Sequence, residues 1–484
     1  MEKRIALREL QRHASLESCW VSLYGRVYDV CVSSVACSLR ANEVKITGFL
    51  DKHPGGSSIL LGLAGQDATK EYDSIHPPGI LDEYLSSCCL GALRSGSLTS
   101  RDKHPKSDSS GSVVQDSVSQ ALNLHEIEAL ARKLLPHRSW AYYVSATDDN
   151  LTKAWNNSVY QSILLRPRVF VDCSQCDLST TVLGHQLGLP VYVSPAAMAR
   201  LAHPSGEAGI ANACAKFGAL QIISHNASLD PVDIVRDSTE NQVFGWQLYC
   251  LKDVRKSERR IQKINQIKQI KFIVLTLDAP FPGKREVEVR SKMDFSQPNL
   301  PPQVWGTDAS LTWEKTLRWL RKHTHLPIVL KGVQTYEDAI LAARYAPDVR
   351  GIIISNHGGR ALDTASTPIH TLLEIHRHCP EVFTKLEVMV DGGIKRGTDI
   401  VKALALGAKA VGIGRAPLWG LAAGGPAGVE RVLEVLSEET ATAMRLLGVS
   451  DVSQLSQQHV NTRALEAGGF WKARNSGGRI ESKM

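Results

Sequence analysis

Several features that would place a protein in a membrane, on a secretory route or on nucleic acid are missing from this chain. No apolar run approaches the roughly 18 residues that a membrane helix requires. The opening MEKRIALREL lacks the apolar core of a signal peptide and carries Glu2 and Glu9, unlike a transit peptide. The net charge of +7 is mild for 484 residues, and no dense Lys/Arg stripe interleaves with aromatic residues. We therefore expect an intracellular protein with no membrane insertion and no nucleic-acid partner.

The cysteine pattern of a disulfide framework or a zinc site is missing as well. The ten cysteines are scattered along a long chain, which is typical of reduced thiols. Cys173 and Cys176 have C-x-x-C spacing, but no second pair and no histidines at ligand spacing accompany them. We interpret this spacing as a coincidence.

A third missing feature is the dinucleotide-binding fingerprint, because no apolar strand runs into G-x-G-x-x-G with an acidic residue about 20 positions later. The rear part of the chain instead alternates short β-branched runs with stretches of helical period. The eight runs are LPVYVSPAA, ALQIISHN, VFGWQLY, FIVLTLDAP, LPIVLKG, GIIISNHGG, LEVMVDGG and AVGIGR. This alternation predicts a parallel sheet closed into an α/β TIM (β/α)8 barrel, with an open doubly wound sheet as the runner-up.

Polar residues and glycines follow these runs, at the barrel end where chemistry is located in this architecture. Any one of them could cap a helix or face solvent, but their joint placement indicates a site. The glycines after the last two strands let backbone N–H groups approach a phosphate, and an arginine adds positive charge. The residues are Ser224, Gln247, Tyr249, Thr276, Asp278, Lys331, His357, Arg360, Asp391, Gly392, Gly393, Gly414 and Arg415.

The shorter front part contains two histidines in similar turns, His53 and His76. They are followed by Pro-Gly-Gly and Pro-Pro-Gly, with amphipathic helical sequence between them. Neutral imidazole is a good axial ligand for iron, and the glycines allow a flat ligand to approach the backbone. Two ordinary loop histidines are the alternative, but the matching turns favour a metal or haem site.

A stretch rich in Ser, Lys and Asp separates the two parts, RSGSLTSRDKHPKSDSSGSVVQDSVSQ. Its composition cannot offset the entropy of ordering with burial, so a flexible linker is predicted. The expected organisation is a small α+β domain at 1–97, a linker at 98–121, a barrel at 122–474 and a tail at 475–484.

Two sets of motifs carry a family resemblance. HPGG, with the second histidine downstream and CWVSLYGRVYDV upstream, resembles a cytochrome b5 haem domain. The rear part resembles the FMN-dependent 2-hydroxy-acid oxidase and dehydrogenase family in SNHGGRALD, WQLY, TLDAP, LPIVLKGV, VDGGIKRGTD and LGAKAVGIGR, which occur in the family's order. The two domains in this order are similar to the flavocytochrome b2 family of cytochrome-linked L-lactate dehydrogenases. The resemblance implies FMN and haem b (protohaem IX) as cofactors, with His53 and His76 as the haem-iron ligands.

The resemblance also implies roles at the substrate end of the site. His357 is similar to the base that takes a proton from the 2-hydroxy acid, and Asp278 to its partner, which stabilises the imidazolium. Arg360 matches the bidentate clamp on the substrate carboxylate, a geometry that lysine cannot reproduce. Tyr249 matches the tyrosine that hydrogen-bonds the reacting hydroxyl. Tyr142 and Arg285 match a substrate-carboxylate tyrosine and a second active-site arginine.

The FMN positions follow from the same resemblance. Lys331 would lie by the flavin N1/O2 edge, where its charge stabilises the anionic reduced flavin. The full set is Ala196, Ala197, Ser224, Gln247, Thr276, Lys331, Asp391, Gly392, Gly393, Lys395, Gly414 and Arg415.

Four departures from the family pattern bear on this reading. Ala146 replaces a glycine, which could shift Tyr142 if that backbone is strained. Lys395 replaces an arginine at the phosphate, which predicts weaker FMN binding. Asn226 replaces an apolar residue facing the substrate side chain, and a buried amide there would favour a more polar acid than lactate. The segment CVSSVACSLRANEVKI, 31–46, has no family counterpart; a surface insertion is one interpretation, and an unspliced intron is the one we favour.

The expected activity is oxidation of an L-2-hydroxy acid, L-lactate first, with electrons passing from FMN through haem to cytochrome c. Whether the acid reacts by carbanion formation or hydride transfer stays open. An oxidase that forms hydrogen peroxide is the main alternative, and a non-catalytic electron-transfer or haem-binding module is a third. The resemblance implies a homotetramer, and we expect a cytoplasmic location, with the mitochondrial intermembrane space as the alternative.

Overall fold

The structure is a computed structural model that describes residues 4–15, 18–31, 57–69, 71–72, 88–93, 117–292 and 307–467. His53, His76 and the predicted tail lie outside this part of the chain, as does the 31–46 segment apart from Cys31. Within the described ranges, no helix combines the length and the apolar composition needed to cross a membrane.

The described front unit is built on a four-stranded sheet in the order β1–β4–β3–β2. Strand β1 runs parallel to β4, and the other two pairings are antiparallel. The core of this unit buries Val21, Leu23 and Tyr28 of the sheet, and Val30 just after β3. The elements are β1 (Arg4–Ile5), a helix (Leu7–Leu10), β2 (Trp20–Leu23), β3 (Arg26–Asp29), a helix (Ser57–Gly62) and β4 (Cys89–Leu93).

The rear unit is a closed barrel of eight parallel strands, which confirms the predicted barrel over the open sheet. Each of the eight apolar runs forms one strand. In order around the barrel they are β8 (Val191–Val193), β9 (Leu220–Ile223), β10 (Phe244–Leu248), β11 (Ile270–Thr276), β12 (Ile328–Val333), β13 (Val349–Ile354), β14 (Glu387–Asp391) and β15 (Val411–Ile413).

The strands are mostly apolar because each of their two faces is buried against a different partner. Inward residues such as Tyr192, Phe272 and Met389 fill the barrel in a core of their own. Val182 and Leu187, from the hairpin of β6 (Thr180–Val182) and β7 (His185–Leu187), join this inner core. Outward residues pack on the helices in a second, larger core.

Helices surround the barrel and precede it in the chain. The long C-terminal helix is broken at Gly424 and Gly425, next to Pro426, into two helical segments. Two short strands, β5 (Leu164–Leu165) and β16 (Val460–Asn461), pair outside the barrel. The helices are Leu124–Leu134, His137–Val144, Leu151–Ser158, Gly206–Phe217, Pro231–Val235, Val254–Asn265, Glu286–Lys292, Trp313–His323, Tyr336–Ala343, Pro368–His378, Val382–Lys385, Gly397–Ala405, Arg415–Leu447 and Arg463–Ala467.

The end of the predicted linker differs from the expectation. Residues 117–121 pack against the barrel unit, with Val118 and Ala121 almost fully buried. The Arg431 side chain also donates to the Ala121 carbonyl, at 3.0 Å. The average composition of the stretch is polar and did not reveal these two buried apolar residues, so the barrel unit includes residues 117–121, which the composition assigned to the linker.

Candidate active site

His357 and Asp278 form a hydrogen-bonded pair at the open end of the barrel. The Nδ1–H of His357 donates to Asp278 Oδ1 at 2.9 Å. The Asp278 side chain is fully buried, whereas a quarter of the His357 side chain is exposed. Burial opposes ionisation of Asp278, but His357 and Lys331 outweigh it and lower the pKa of this carboxyl. A carboxylate on Nδ1 leaves Nε2 unprotonated and facing the open side.

The backbone around His357 adopts an uncommon conformation. His357 has φ +59°, in the left-handed region that non-glycine residues rarely adopt, and Gly358 and Gly359 follow it at +64° and +76°. A Cβ added at Gly359 would lie 2.7 Å from the backbone nitrogen of Lys153. Strain of this kind is concentrated at functional sites, where it aims a side chain.

Tyr249, just beyond β10, faces the free nitrogen of the histidine. Its hydroxyl lies 3.5 Å from His357 Nε2. Behind it, the Tyr249 backbone N–H donates to His225 Nδ1 at 3.3 Å, and the two rings pack edge to face with centroids 5.8 Å apart. Burial, with a smaller contribution from Arg260, lowers the pKa of His225 to about 3. His225 is therefore a neutral acceptor that supports Tyr249.

Arg360 is anchored on the C-terminal end of the helix His137–Val144. Its Nη1 donates to the carbonyls of Tyr142, Tyr143 and Ser145, at 2.8, 3.3 and 3.0 Å. The last carbonyls of a helix have no partner within it and attract cations. The guanidinium carbon also lies 5.3 Å from the centre of the Tyr142 ring. With Nη1 held by the backbone, Nη2 remains for a ligand.

Arg285, the second predicted arginine, is paired with a carboxylate that the sequence did not single out. Arg285 Nη1 lies 3.0 Å from Glu288 Oε2, and the same oxygen lies 4.0 Å from Arg360 Nη2. Glu288 is almost fully buried. The two arginines therefore meet around one internal negative charge.

Lys331, on β12, is sealed inside the site. Its Nζ donates to Ser355 Oγ at 2.8 Å and lies 3.4 Å from Asp391 Oδ2. Ser194 Oγ donates to the same Asp391 oxygen at 3.0 Å. Parallel registry places Thr276 beside Lys331. The charge of Lys331 is thus fixed in position, as a group that stabilises charge on a bound ring must be.

Predicted FMN residues from the first four strands also come together. Gln247 Nε2 donates to Thr276 Oγ1 at 3.0 Å, and Gln247 Oε1 accepts the His225 N–H at 2.9 Å. Ala196 and Ser224 line one cavity together with Gly414, which follows the last strand. Ala197, the next residue along, is partly exposed beside this lining.

The last two strands end in a cradle with excess positive charge. Gly392 and Gly393 have φ +111° and +81°, and a Cβ added at Gly414 would meet no atom within 4 Å. Arg415 donates to the carbonyls of Tyr143, Ser145 and Gly358, and no carboxylate in the described chain pairs with it. Burial, followed by Arg360, lowers its pKa to about 9. Open space beside Gly414, next to a guanidinium without a carboxylate partner, fits a phosphate.

Lys153 adds to this positive charge. Its Nζ donates to the Val144 carbonyl at 2.6 Å. Burial, followed by Arg415, lowers its pKa to about 8, and Lys395 acts in the same direction. Glu128 opposes them and pairs with Lys395 at 3.3 Å. Three cations around one carboxylate favour an anion here, and FMN carries one in its phosphate.

Three of the four departures from the family pattern lie in the described part of the chain, and the structure shows their surroundings. Ala146 is buried and lies outside the left-handed region, so it imposes no strain on Tyr142. Lys395 is occupied by Glu128. Asn226 is exposed, which corrects the expectation of a buried amide. Its backbone, rather than its side chain, has a clear role, because its carbonyl accepts the Met198 N–H at 3.2 Å and so fixes the loop that carries Ala196.

Sequence reasoning missed Glu288, His225, Lys153 and Ser355. His225 lies one residue from the predicted Ser224 and Ser355 lies two residues before the predicted His357, and this proximity in sequence was the available signal. Glu288 follows Arg285 by one helical turn, a spacing that allows an ion pair. Lys153 carried no local signal, because its place depends on contacts with distant parts of the chain.

His53 and His76 lie outside the described residues. In the described part of the chain, no three His, Cys, Asp or Glu side chains cluster as a metal site would require. The C-x-x-C pair is consistent with coincidence, since Cys173 is exposed and Cys176 Sγ faces the Ala441 carbonyl.

Known families match both units. The FMN-dependent dehydrogenase family matches residues 131–462, and the cytochrome b5-like heme/steroid binding domain family matches residues 45–94, a range that contains both predicted haem ligands. The front match begins only at residue 45, near the end of the 31–46 segment.

Individual relatives agree with this division. An L-lactate dehydrogenase (cytochrome) from Wickerhamomyces anomalus is 33% identical over 479 residues, which cover 94% of this chain and 79% of that protein. A peroxisomal (S)-2-hydroxy-acid oxidase from Oryza sativa subsp. japonica is 38% identical over 360 residues, covering 70% of this chain and 96% of that protein.

A solved structure gives the same picture in three dimensions. A variant of flavocytochrome b2 with pyruvate bound superposes with a TM-score of 0.69 at 35% identity, covering 76% of this chain and 94% of that one. The predicted fold and cofactors, FMN and haem b, are thereby confirmed. This chain belongs to the FMN-dependent dehydrogenase family and carries a cytochrome b5-like domain in front of its barrel.

Proposed function

We propose that this protein oxidises an L-2-hydroxy acid to the 2-oxo acid, with L-lactate as the leading candidate substrate. The electrons leave through haem to cytochrome c. The observation that carries the proposal is the His357–Asp278 pair, with Nε2 directed at the Tyr249 hydroxyl. A base, its carboxylate partner and a hydroxyl donor converge there beside Arg360.

The side chains divide the work on the acid. Arg360 Nη2 and Arg285 bind the carboxylate, and the carbonyls that hold Arg360 Nη1 fix the orientation of its fork. Tyr249 hydrogen-bonds the reacting hydroxyl. The Tyr142 ring, packed against Arg360, closes the carboxylate side of the site.

Proton transfer is assigned to His357 Nε2. The Asp278 carboxylate holds the ring in the tautomer that leaves Nε2 free, and it stabilises the positive charge after the proton arrives. Because the neighbouring charges lower the pKa of Asp278, this carboxylate remains ionised at neutral pH.

When bound, FMN supplies the acceptor for the two electrons that leave the acid. The residues that would hold it are Lys331 for the ring, Gln247 and Thr276 for its polar edge, and the cradle of Gly393, Gly414 and Arg415 for its phosphate. Lys331, sealed by Asp391 and Ser355, supplies a positive charge that cannot move away.

Electron exit is assigned to the front unit. Haem b supplies a one-electron carrier, with His53 and His76 as its ligands. The similarity to the Wickerhamomyces cytochrome-type dehydrogenase runs over 94% of the chain and therefore includes this unit. Cytochrome c is the acceptor that follows from it.

An oxidase is the second candidate, supported by the higher identity of the rice (S)-2-hydroxy-acid oxidase. That similarity covers only 70% of this chain. Such an enzyme would reduce oxygen to hydrogen peroxide without cytochrome c. The fused haem unit favours the dehydrogenase.

An absorption spectrum of the purified protein, recorded anaerobically before and after L-lactate, tests the proposal. Flavin bleaching accompanied by the bands of reduced haem supports it. A protein that retains both cofactors but shows no bleaching would refute the substrate, and bleaching without haem reduction would favour the oxidase.

Assembly and location complete the proposal. We expect a homotetramer through the barrel units, which light scattering would detect as a particle four times the 52.9 kDa chain. We place the protein in the cytoplasm, with the mitochondrial intermembrane space as the alternative. Fractionation of the source cells, with probes for both compartments, distinguishes them.

A further inference from the structure

A buried carboxylate lies behind the first two loops at the open end of the barrel. Glu207, in the first turn of the helix Gly206–Phe217, is only 2% exposed. It lines the same cavity as Ala196 and Ser224, two predicted FMN positions on the loops after β8 and β9. A buried carboxylate is costly unless its oxygens accept hydrogen bonds, so the partners of Glu207 indicate its role.

Glu207 accepts hydrogen bonds from both of these loops. Its Oε1 accepts the Ala199 N–H at 3.0 Å and the Ser228 N–H at 2.8 Å. Its Oε2 accepts the Ser228 hydroxyl at 2.7 Å. Ala199 belongs to the loop after β8 and Ser228 to the loop after β9, so a single side chain ties the two loops together. The first turn of a helix also favours negative charge.

Two further hydrogen bonds join the same loops. Ser228 Oγ accepts the Arg200 N–H at 3.0 Å, and the Asn226 carbonyl accepts the Met198 N–H at 3.2 Å. Met198 has φ +61°, in the left-handed region that non-glycine residues rarely adopt. Such a conformation persists only where the surrounding structure enforces it. The bonds at Ala199 and Arg200 hold the two residues that directly follow Met198.

The loop after β8 depends on these bonds for its shape. Ala196 and Ala197 directly precede Met198, and their methyl groups offer no polar anchor of their own. A loop that is ordered only when its ligand arrives lowers the affinity by the cost of that ordering. A loop that Glu207 already holds in place avoids this cost.

We propose that Glu207 is a positioning residue for FMN, which holds the loops after β8 and β9 in the shape that binds the flavin. It acts as a hydrogen-bond acceptor for Ala199 and Ser228, and it takes no part in proton transfer. The inference rests on the proposed function, which requires FMN at these loops.

The test compares two replacements of Glu207 in the full-length, FMN-loaded protein. Glu207→Met keeps a similar volume but offers only a weak sulfur acceptor, whereas Glu207→Gln keeps an oxygen that can accept both N–H groups. FMN released on dilution is measured by its fluorescence, which gives the dissociation constant without turnover. The constant should rise by about 10- to 100-fold in Glu207→Met, because two buried N–H groups lose their acceptor, and by about fivefold or less in Glu207→Gln.

Two control variants separate this effect from a general loss of stability or of charge. Leu320→Ala creates a cavity beneath the helix Trp313–His323, between β11 and β12, and should lower stability without changing the FMN constant. Glu430→Gln removes a carboxylate that pairs at the surface with Lys216, near the other end of the Glu207 helix, and should also leave the constant unchanged. Urea unfolding measures the stability of each variant.

Two results would overturn the inference. If the FMN constant of Glu207→Met is no higher than that of Leu320→Ala, Glu207 contributes only to stability. If Glu207→Gln and Glu207→Met weaken FMN equally, the charge matters and the hydrogen bonds to the loops do not.

Ser228→Ala decides the matter if Glu207→Met does not fold. It removes the hydroxyl that connects Glu207 to the Arg200 N–H but leaves the carboxylate in place. The FMN constant should rise by about three- to tenfold, as expected for the loss of one or two hydrogen bonds. An unchanged constant would contradict the inference.

The proposed function fails separately. It is refuted by wild-type protein that binds FMN but whose flavin is not bleached by L-lactate, whatever the constants of the variants. Failure of the inference leaves the reduction of the wild-type flavin by L-lactate intact.

Discussion

Two pairs of a basic side chain and a carboxylate lie at the open end of the barrel and differ in their access to water. Lys331 and Asp391 are both sealed, with side chains 4% and 7% exposed and charged atoms 3.4 Å apart. In the other pair Asp278 is fully buried, but His357 is 25% exposed at a separation of 2.9 Å. The buried pair keeps the positive charge of Lys331 in place. In the partly exposed pair, His357 Nε2 can exchange a proton with a ligand.

One serine connects the two pairs. Ser355 Oγ accepts both the Lys331 ammonium, at 2.8 Å, and the backbone N–H of His357, at 3.1 Å. The charge of Lys331 also acts to lower the pKa of Asp278. The fixed charge therefore helps to hold the reactive pair in its working state, and substitutions in the two pairs should have different consequences.

The largest effect is expected from His357→Gln. Without the base, the rate of flavin reduction by L-lactate should fall by about 10⁴-fold, the upper end of what a positioned base contributes, because the base and its oriented ring are both lost. FMN should remain bound, since the sealed pair is untouched. Stopped-flow absorbance measures the rate, and the flavin-to-protein absorbance ratio measures occupancy. A near-normal rate would contradict the assignment of the base.

Lys331→Met should reduce the stability of the fold and the retention of FMN, in addition to any effect on the reaction. Removing one partner leaves Asp391 charged and buried, which costs about 3–5 kcal/mol of unfolding free energy. Lys263→Met is the control, because Lys263 pairs with Asp230 at the surface and should cost less than about 1 kcal/mol. Urea unfolding measures both. Equal losses in the two variants would show that burial of the Lys331 pair is unimportant.

Asp278→Asn should slow flavin reduction by about 10²- to 10³-fold while leaving FMN bound. An amide can donate to Nδ1, which favours the tautomer that protonates Nε2, and it cannot stabilise the imidazolium. The loss should be smaller than for His357→Gln because the ring itself remains. Stopped-flow reduction of both variants under one set of conditions gives the ranking, and a reversed ranking would contradict it.

His225 should make stability depend on pH below neutrality. The unfolded chain takes up this proton near pH 6.5 and the folded chain only near pH 3, so the folded state loses stability as the pH falls through that window. At pH 5 the cost is about 2 kcal/mol. His225→Gln should flatten the pH dependence of urea unfolding between pH 6.5 and 4 relative to His137→Gln, an exposed control. Identical slopes would show that His225 titrates normally.

The smallest effect is expected from Ser355→Ala. Loss of the hydroxyl removes one acceptor from Lys331 and one from the His357 backbone, at about 1 kcal/mol each. Flavin reduction should slow by about tenfold or less, with both cofactors retained. Stopped-flow reduction checks this, and a loss as large as that of Asp278→Asn would mean that Ser355 does more than link the pairs.

Much of this arrangement could be predicted because it depends on local patterns. A run such as GIIIS predicts a buried strand, and the residues after it must lie at the open end of the barrel, so His357 and Arg360 could be placed from the sequence. The contacts that complete the site join distant segments. Arg360 is held by carbonyls about 215 residues earlier in the chain, and no local pattern indicates that partner.

The wrong expectation about Asn226 has a related cause. Its match to an apolar position that faces the substrate in the family indicated burial, but the chain turns at Ser224, whose Oγ accepts the Asn226 N–H at 3.2 Å, and Asn226 is exposed. Glu288 shows the reverse case, because a charged residue in a polar helix is expected to be exposed and this one is buried. Two arginines from different loops bury it instead.

The destination of the electrons tests the central claim most directly. The measurement supplies the full-length protein with limiting L-lactate in air, together with oxidised cytochrome c, and determines pyruvate, reduced cytochrome c and hydrogen peroxide. Because each lactate releases two electrons and each cytochrome c accepts one, the expected result is about two reduced cytochromes per pyruvate, without peroxide, and no reaction in His357→Gln. One peroxide per pyruvate with cytochrome c still oxidised would contradict the claim.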